Sequence, residues 1–233
     1  QDLDVVLLSL DFVAFNSLST FEDDFADSPL AATVPLASLA RYLLSLQTIQ
    51  ESLATLESNV RGNVITCDNT GEHKRKRKRK PPRIAFDSIL RRYAKGHYSE
   101  YVLGDQGFQH LAALLREFAD AGVKVYAYIS PAHVTHRELM TEIGLIDVHE
   151  EWKRRLVGAF ADTNRDLPEE RKAVLWDFSG YNEITTEQVP LSGDDSVMRW
   201  YADSSHAKPN VGKMMINRIV GRRSGDSATE ASF

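Results

Sequence analysis

The sequence predicts an α/β domain built around a mainly parallel sheet with helices on both faces. Three observations carry that prediction. Short apolar runs of strand length alternate along the chain with longer segments of helical periodicity. The first run is nearly continuous in its apolar character, as strands of a covered parallel sheet are. The loops that follow the three runs begin at Asp11, Pro131 and Asp177, and all lead into polar or histidine-containing segments. Right-handed crossovers place the three strand ends on one edge, where open α/β sheets bind their ligands.

The elements follow in order. Leu3, Val5, Val6, Leu7, Leu8 and Leu10 predict a strand buried on both faces. Such a strand needs neighbours already made. The chain also starts without an initiator Met or a signal-peptide pattern, so it is read as a domain incomplete at its N-terminus. An acidic loop holds Glu22, Asp23, Asp24 and Asp27. Leu36, Leu39, Leu43, Leu46, Ile49, Leu53 and Leu56 then recur at three- and four-residue spacing, predicting an amphipathic helix over 35–58. Residues 59–83 have no sustained period and read as a loop insertion. Ile89, Leu90 and Tyr93 mark a short helix near 86–95 that stops at Gly96.

Phe108, Leu111, Ala112, Leu115, Phe118 and Ala119 form a helical stripe capped by Gly122. Val123, Val125, Tyr126, Tyr128 and Ile129 make the second strand. Thr135 and Glu138 have capping-box spacing for a helix running to Gly144. Val148, Trp152, Leu156 and Phe160 set another helix over 147–163. Ala173 to Trp176 is the third strand, ending in Asp177. After a long loop over 178–208, Pro209 opens a last helix carrying Val211, Met214, Met215 and Ile219 and closing at Gly221. Residues 222–233 read as a flexible tail.

Composition excludes several classes. The chain has 233 residues, 42% hydrophobic and 26% charged, a mix that buries a sizeable core. No apolar run reaches the roughly 18 residues of a membrane span. One cysteine, Cys67, rules out an intramolecular disulfide and a CxxC site. The net charge of −5 hides an asymmetry, because Lys74 to Lys80 are seven consecutive basic residues. Taking that +7 away leaves −12 on the rest of the chain. The body is therefore acidic, and the basic run is either a solvated loop or a spot for an anionic polymer. No aromatic residues interleave with the run, so no specific nucleic-acid partner is expected.

The strongest chemical signal is Asp203-Ser204-Ser205-His206, just before the last helix. A carboxylate three residues before an imidazole can fold back onto Nδ1, fix the tautomer and leave Nε2 as a general base. The bland alternative is a helix-capping Asp203 beside a surface His206. His133 directly follows a strand end and is read either as a crevice residue that touches substrate or as a solvated loop residue. His136 is read as a residue of the first helical turn. Asp11 and Asp177 support the crevice loops or merely begin turns. Tyr126, Tyr128, Trp152 and Trp176 belong to the core by position. Trp200 and Tyr201, beside Asp203, are the aromatics expected to face substrate. No spacing calls for a metal, and no cofactor is expected.

The block Asp203 to His206 with Pro209, Val211-Gly212 and the apolar helix resembles the C-terminal block of the SGNH (GDSL-like) hydrolase superfamily. Trp176-Asp177-Phe178-Ser179-Gly180-Tyr181-Asn182 and Leu10-Asp11-Phe12 with Phe15-Asn16 are similar to its bacterial branch linked to the cell envelope and exopolysaccharide. The similarity runs through most of 1–221. It implies one domain with a flavodoxin-like three-layer α/β/α sandwich. It also implies hydrolysis or transfer of an ester acyl group, often acetyl, on envelope or secreted polysaccharide. On that resemblance Asp203 orients the base and His206 activates a serine; Asp11 and His133, by their places after strand ends, and Trp200 and Tyr201, beside the pair, are the residues expected near the carbohydrate substrate. The nucleophilic serine is then expected upstream of the first strand, so this segment alone is expected to be inactive. Gly225-Asp226-Ser227 spells the nucleophile motif but follows the Asp-x-x-His block, and no strand leads into it. The alternative is a non-catalytic α/β module that holds an anionic polymer through its crevice and basic loop.

Overall fold

A computed structural model describes residues 3–19, 46–60, 80–194 and 196–221. The chain divides into two compact units, residues 1–19 with 80–233 and residues 20–79. In the second unit the described element is helix α1 (Leu46–Val60). Its stripe residues Ile49, Leu53, Leu56 and Val60 are exposed. The expected helical stretch 35–45, the basic residues 74–79 and the segment 222–233 lie outside the described residues. Among the described residues no helix is long and apolar enough to cross a membrane.

The first unit is an α/β structure. Strands β1 (Val5–Leu10), β2 (Lys124–Ile129) and β3 (Val174–Asp177) form a parallel sheet in the order β1-β2-β3. Leu10 pairs with Ile129, and Ile129 with Asp177. The three C-termini therefore end level on one edge. Helices α2 (Pro82–Arg92) and α3 (Gln106–Asp120) precede β2. Helices α4 (Val134–Glu142) and α5 (Ile146–Asn164) precede β3, and α6 (Pro209–Ile219) follows it.

The pleat of β2 explains how the interior is divided. Val125, Ala127 and Ile129 point one way and join Leu111 and Leu115 of α3 and Trp152, Leu156 and Phe160 of α5. Tyr126 and Tyr128 point the other way and pack against Phe86 of α2 and Val211, Met215 and Ile219 of α6. Central position makes β2 the strand whose two faces feed two cores.

The first strand corrects the expectation of burial on both faces. Only one face meets a core: Val6 and Leu8 are half-buried and Leu10 is buried, whereas Leu3, Val5 and Leu7 are exposed. An unbroken apolar run does not by itself distinguish a strand covered on both faces from one covered on a single face.

The start of α4 is also different from the capping-box expectation. The helix begins at Val134, ahead of Thr135, and the cap is the His133 ring, whose Nδ1 accepts from the Thr135 backbone N–H at 3.2 Å. At the other end of its helix, α2 continues into a π turn over Tyr93–His97, which carries the chain past Gly96. Such turns displace side chains from the helical stripe. Gly122 and Gly221 close α3 and α6 with φ of 74° and 68°, a backbone region that favours glycine.

Candidate functional site

The site is built on the loop between β3 and α6. That long loop is tied down by its own polar side chains. Asn182 Oδ1 accepts from the backbone N–H groups of Ile184 and Thr185. The Glu187 carboxylate receives the N–H groups of Arg199 and Trp200, and Lys208 Nζ donates to the Met198 carbonyl. A bridge between Tyr201 and Ala207 closes the segment between them into a small loop. Asp203 and His206 sit at its tip.

Asp203 shapes that tip. Its Oδ1 accepts the backbone N–H groups of Ser205 at 2.9 Å and His206 at 3.0 Å, an Asx turn that holds the carboxylate against its own backbone. The turn brings His206 Nδ1 to 2.8 Å from Oδ1 and 2.9 Å from Oδ2. Burial pushes the Asp203 carboxyl up, but the bonds from His206 and the Ser205 backbone outweigh it and hold it below the usual carboxylate range. An ionised carboxylate only accepts, so Nδ1 carries the hydrogen and the neutral ring keeps its basic lone pair on Nε2. The Asp203 side chain is 17% exposed and that of His206 62%, which puts the acid inside and the base on the surface.

Beneath the tip lies a second set of side chains. Ser204 is fully buried, and its Oγ is 3.2 Å from His136 Nε2. The Ser204 carbonyl accepts the His133 N–H at 3.1 Å. Tyr93, on the π turn, meets the His136 ring edge-on at 4.6 Å. Burial holds the His136 ring well below an ordinary histidine, at about 4, with Asp203 pulling the other way. His136 is therefore a neutral hydrogen-bonding group at neutral pH.

Asp11 arrives from the neighbouring strand end. Its Oδ1 caps the 3-10 turn Phe12–Phe15 by accepting from the Val13 N–H at 3.0 Å. Burial raises the phenols of Tyr93, Tyr98 and Tyr101, and the Asp11 charge raises each further, which places Asp11 beside this aromatic group. Asp177, at the end of β3, receives Lys153 Nζ at 2.9 Å and the Ser179 N–H and Oγ.

Three residues expected near substrate are buried and bonded within the fold. His133 is 3% exposed; its Nε2–H donates to the Glu187 carbonyl at 2.7 Å while Nδ1 caps α4. Both ring nitrogens are spent on structure. Tyr201 is 1% exposed and donates its hydroxyl to the Pro131 carbonyl at 2.7 Å. Trp200 is buried in the same core, with the Arg199 guanidinium over its ring. These aromatics anchor the loop from below. His136 lies in the first helical turn, as expected, but its contact with Ser204 and the role of Glu187 in holding the loop were not foreseen. The juxtaposition of His136 and Ser204, 68 residues apart, leaves no trace in local spacing.

Among the described residues, no group of three or more His, Cys, Asp or Glu side chains is placed to hold a metal ion. No protein-family model matches the chain, and no curated protein or solved structure matches it.

Proposed function

We propose that the chain carries the acid–base half of an SGNH-like ester hydrolase or O-acyltransferase acting on an envelope or secreted glycan. The observation that supports it most is the Asp203–His206 pair: a carboxylate bonded to Nδ1, at the sheet edge where the three strands end. Packing on both faces of β2 supports a three-layer arrangement of the kind that superfamily uses.

In this reading, His206 Nε2 takes the proton of a serine hydroxyl as its oxygen attacks the acyl carbonyl. The imidazolium, stabilised by Asp203, returns that proton to the departing alcohol. Water or a sugar hydroxyl then discharges the acyl-serine by the same steps. The resemblance puts the serine on a strand and turn upstream of β1. Among the described residues β1 pairs with β2 alone, and its outer edge suits a parallel neighbour.

The test is acetyl-ester turnover by the full-length gene product, compared with its His206→Ala and Asp203→Asn variants. Losses of about 10³-fold or more are expected from each. Turnover unchanged by His206→Ala sinks the proposal.

A further inference from the structure

Positive charge is concentrated around α2. Residues 74–97 hold eleven Lys and Arg against one acid, Asp87, a net of +10. The chain totals −5, so everything outside that stretch carries −15. Within the first unit this charge meets a groove. Ser88, Arg91 and Arg92 lie three and four residues apart on α2 and so neighbour one another on its surface. The π turn adds Lys95 and Gly96. Together these residues line a shallow groove of about 650 Å³, and all of them are exposed.

The three cations are not spent on the fold. Among the described residues, the side chains of Arg91, Arg92 and Lys95 make no ion pair and no hydrogen bond. Arg92 acts on the Tyr93 phenol only through its charge. Asp87 also lines the groove, but it is taken by Arg83 Nε at 3.4 Å. Like charges set this close repel one another and cost stability until an anion comes between them.

The size of the charge selects the anion. One carboxylate or one phosphodiester brings a single negative charge and leaves most of the three cations unanswered. A phosphate monoester carries about −1.5 to −2 at neutral pH and offers three strong acceptor oxygens. The planar fork of an arginine takes two of them at once, a lysine adds a point charge, and the Ser88 hydroxyl adds a neutral donor.

We propose that the groove formed by Ser88, Arg91, Arg92 and Lys95 is a binding site for a phosphate monoester group. It stands on unpaired cations in one groove, independently of the ester chemistry proposed above. The group can arrive on a soluble molecule or on a lipid headgroup, and the experiment separates the two.

Glycerol phosphate is titrated into the protein at about pH 7.5 and low salt, and the backbone amides of α2 and the π turn are followed by ¹⁵N NMR. Saturable shifts with a Kd of about 1 mM or below are expected. Binding is expected to weaken at least about tenfold in Arg91→Gln combined with Lys95→Gln. Both positions are exposed, and an unchanged urea midpoint checks that the fold is kept. Acetate is expected to bind at least about tenfold more weakly than glycerol phosphate. In a second arm the protein is sedimented with phosphatidylcholine vesicles with and without about 20 mol% phosphatidic acid. Saturable binding of glycerol phosphate assigns a soluble ligand. Capture by the phosphatidic acid vesicles alone, lost in the double variant, assigns a lipid headgroup, and either result supports the site. No binding in either arm up to about 20 mM ligand overturns the proposal. Binding that acetate matches overturns it too, as does binding that the double variant leaves intact, which would hand the phosphate to Lys74–Lys80.

Discussion

Ser204 Oγ and His136 Nε2 lie 3.2 Å apart, and neither residue is open to solvent. The contact joins α4 to the Asp203–His206 turn, so His136 fixes the turn from below without reaching the surface. Ser204→Ala strips the imidazole of that partner in a buried place. A loss of about 1–3 kcal/mol in unfolding free energy is expected from urea melts. His136→Phe combined with Ser204→Ala removes both polar groups and is expected to recover part of it. A double variant that is as unstable as the sum of the singles contradicts the pairing.

The two bonds from Asp203 to His206 Nδ1 make a claim about one hydrogen. A free neutral imidazole favours hydrogen on Nε2, whereas the carboxylate here draws it to Nδ1. In ¹⁵N spectra near about pH 9, where histidines are neutral, His206 is expected as the Nδ1–H tautomer. Asp203→Asn is expected to shift the balance toward Nε2–H. An unchanged tautomer ratio counts against the pair.

Acid stability follows from two buried rings. His136 and His149 are each held at about 4 by burial, against 6.5 for an ordinary histidine. The unfolded chain then binds more protons than the folded one between those values. Stability is therefore full above about pH 6.5, falls as pH drops toward 4, and loses up to about 3 kcal/mol per ring. Asp203, lowered below its usual range, adds a further loss at still lower pH. Urea midpoints measured from pH 7 to pH 4 are expected to fall, and less steeply in His136→Gln.

Much of this architecture was legible in the chain because it rests on local periodicity. The α3 and α5 stripes, Gly122, Gly221 and Pro209 mark their elements within a few residues. The Asp203–His206 bond was legible for the same reason, since both partners sit in one turn. What escaped reading depends on separation in sequence. Val5 and Leu7 look like core residues, and only the packing of elements distant in sequence shows that their face of β1 is left exposed. Residue type cannot say that His133 spends one nitrogen on a helix cap and the other on Glu187, 54 residues away. The same limit hid Tyr93, which a π turn delivers to the His136 ring.

Tyr201 gives a direct test of whether the aromatics before Asp203 hold the loop or meet a ligand. Its hydroxyl donates to the Pro131 carbonyl at 2.7 Å, linking the site loop to the end of β2, and its ring meets His133 edge-on at 5.1 Å. Tyr201→Phe keeps the packing and deletes the bond, leaving a carbonyl unpaired in a buried setting. That should cost about 1–2 kcal/mol, read as a lower urea midpoint at unchanged slope. Tyr201→Ala also opens a cavity and should cost about 3–5 kcal/mol. A substrate-facing tyrosine behaves oppositely: its loss leaves stability within about 0.5 kcal/mol and appears in binding alone. Wild-type stability in Tyr201→Phe would therefore return this residue to the surface role its position in the sequence suggested.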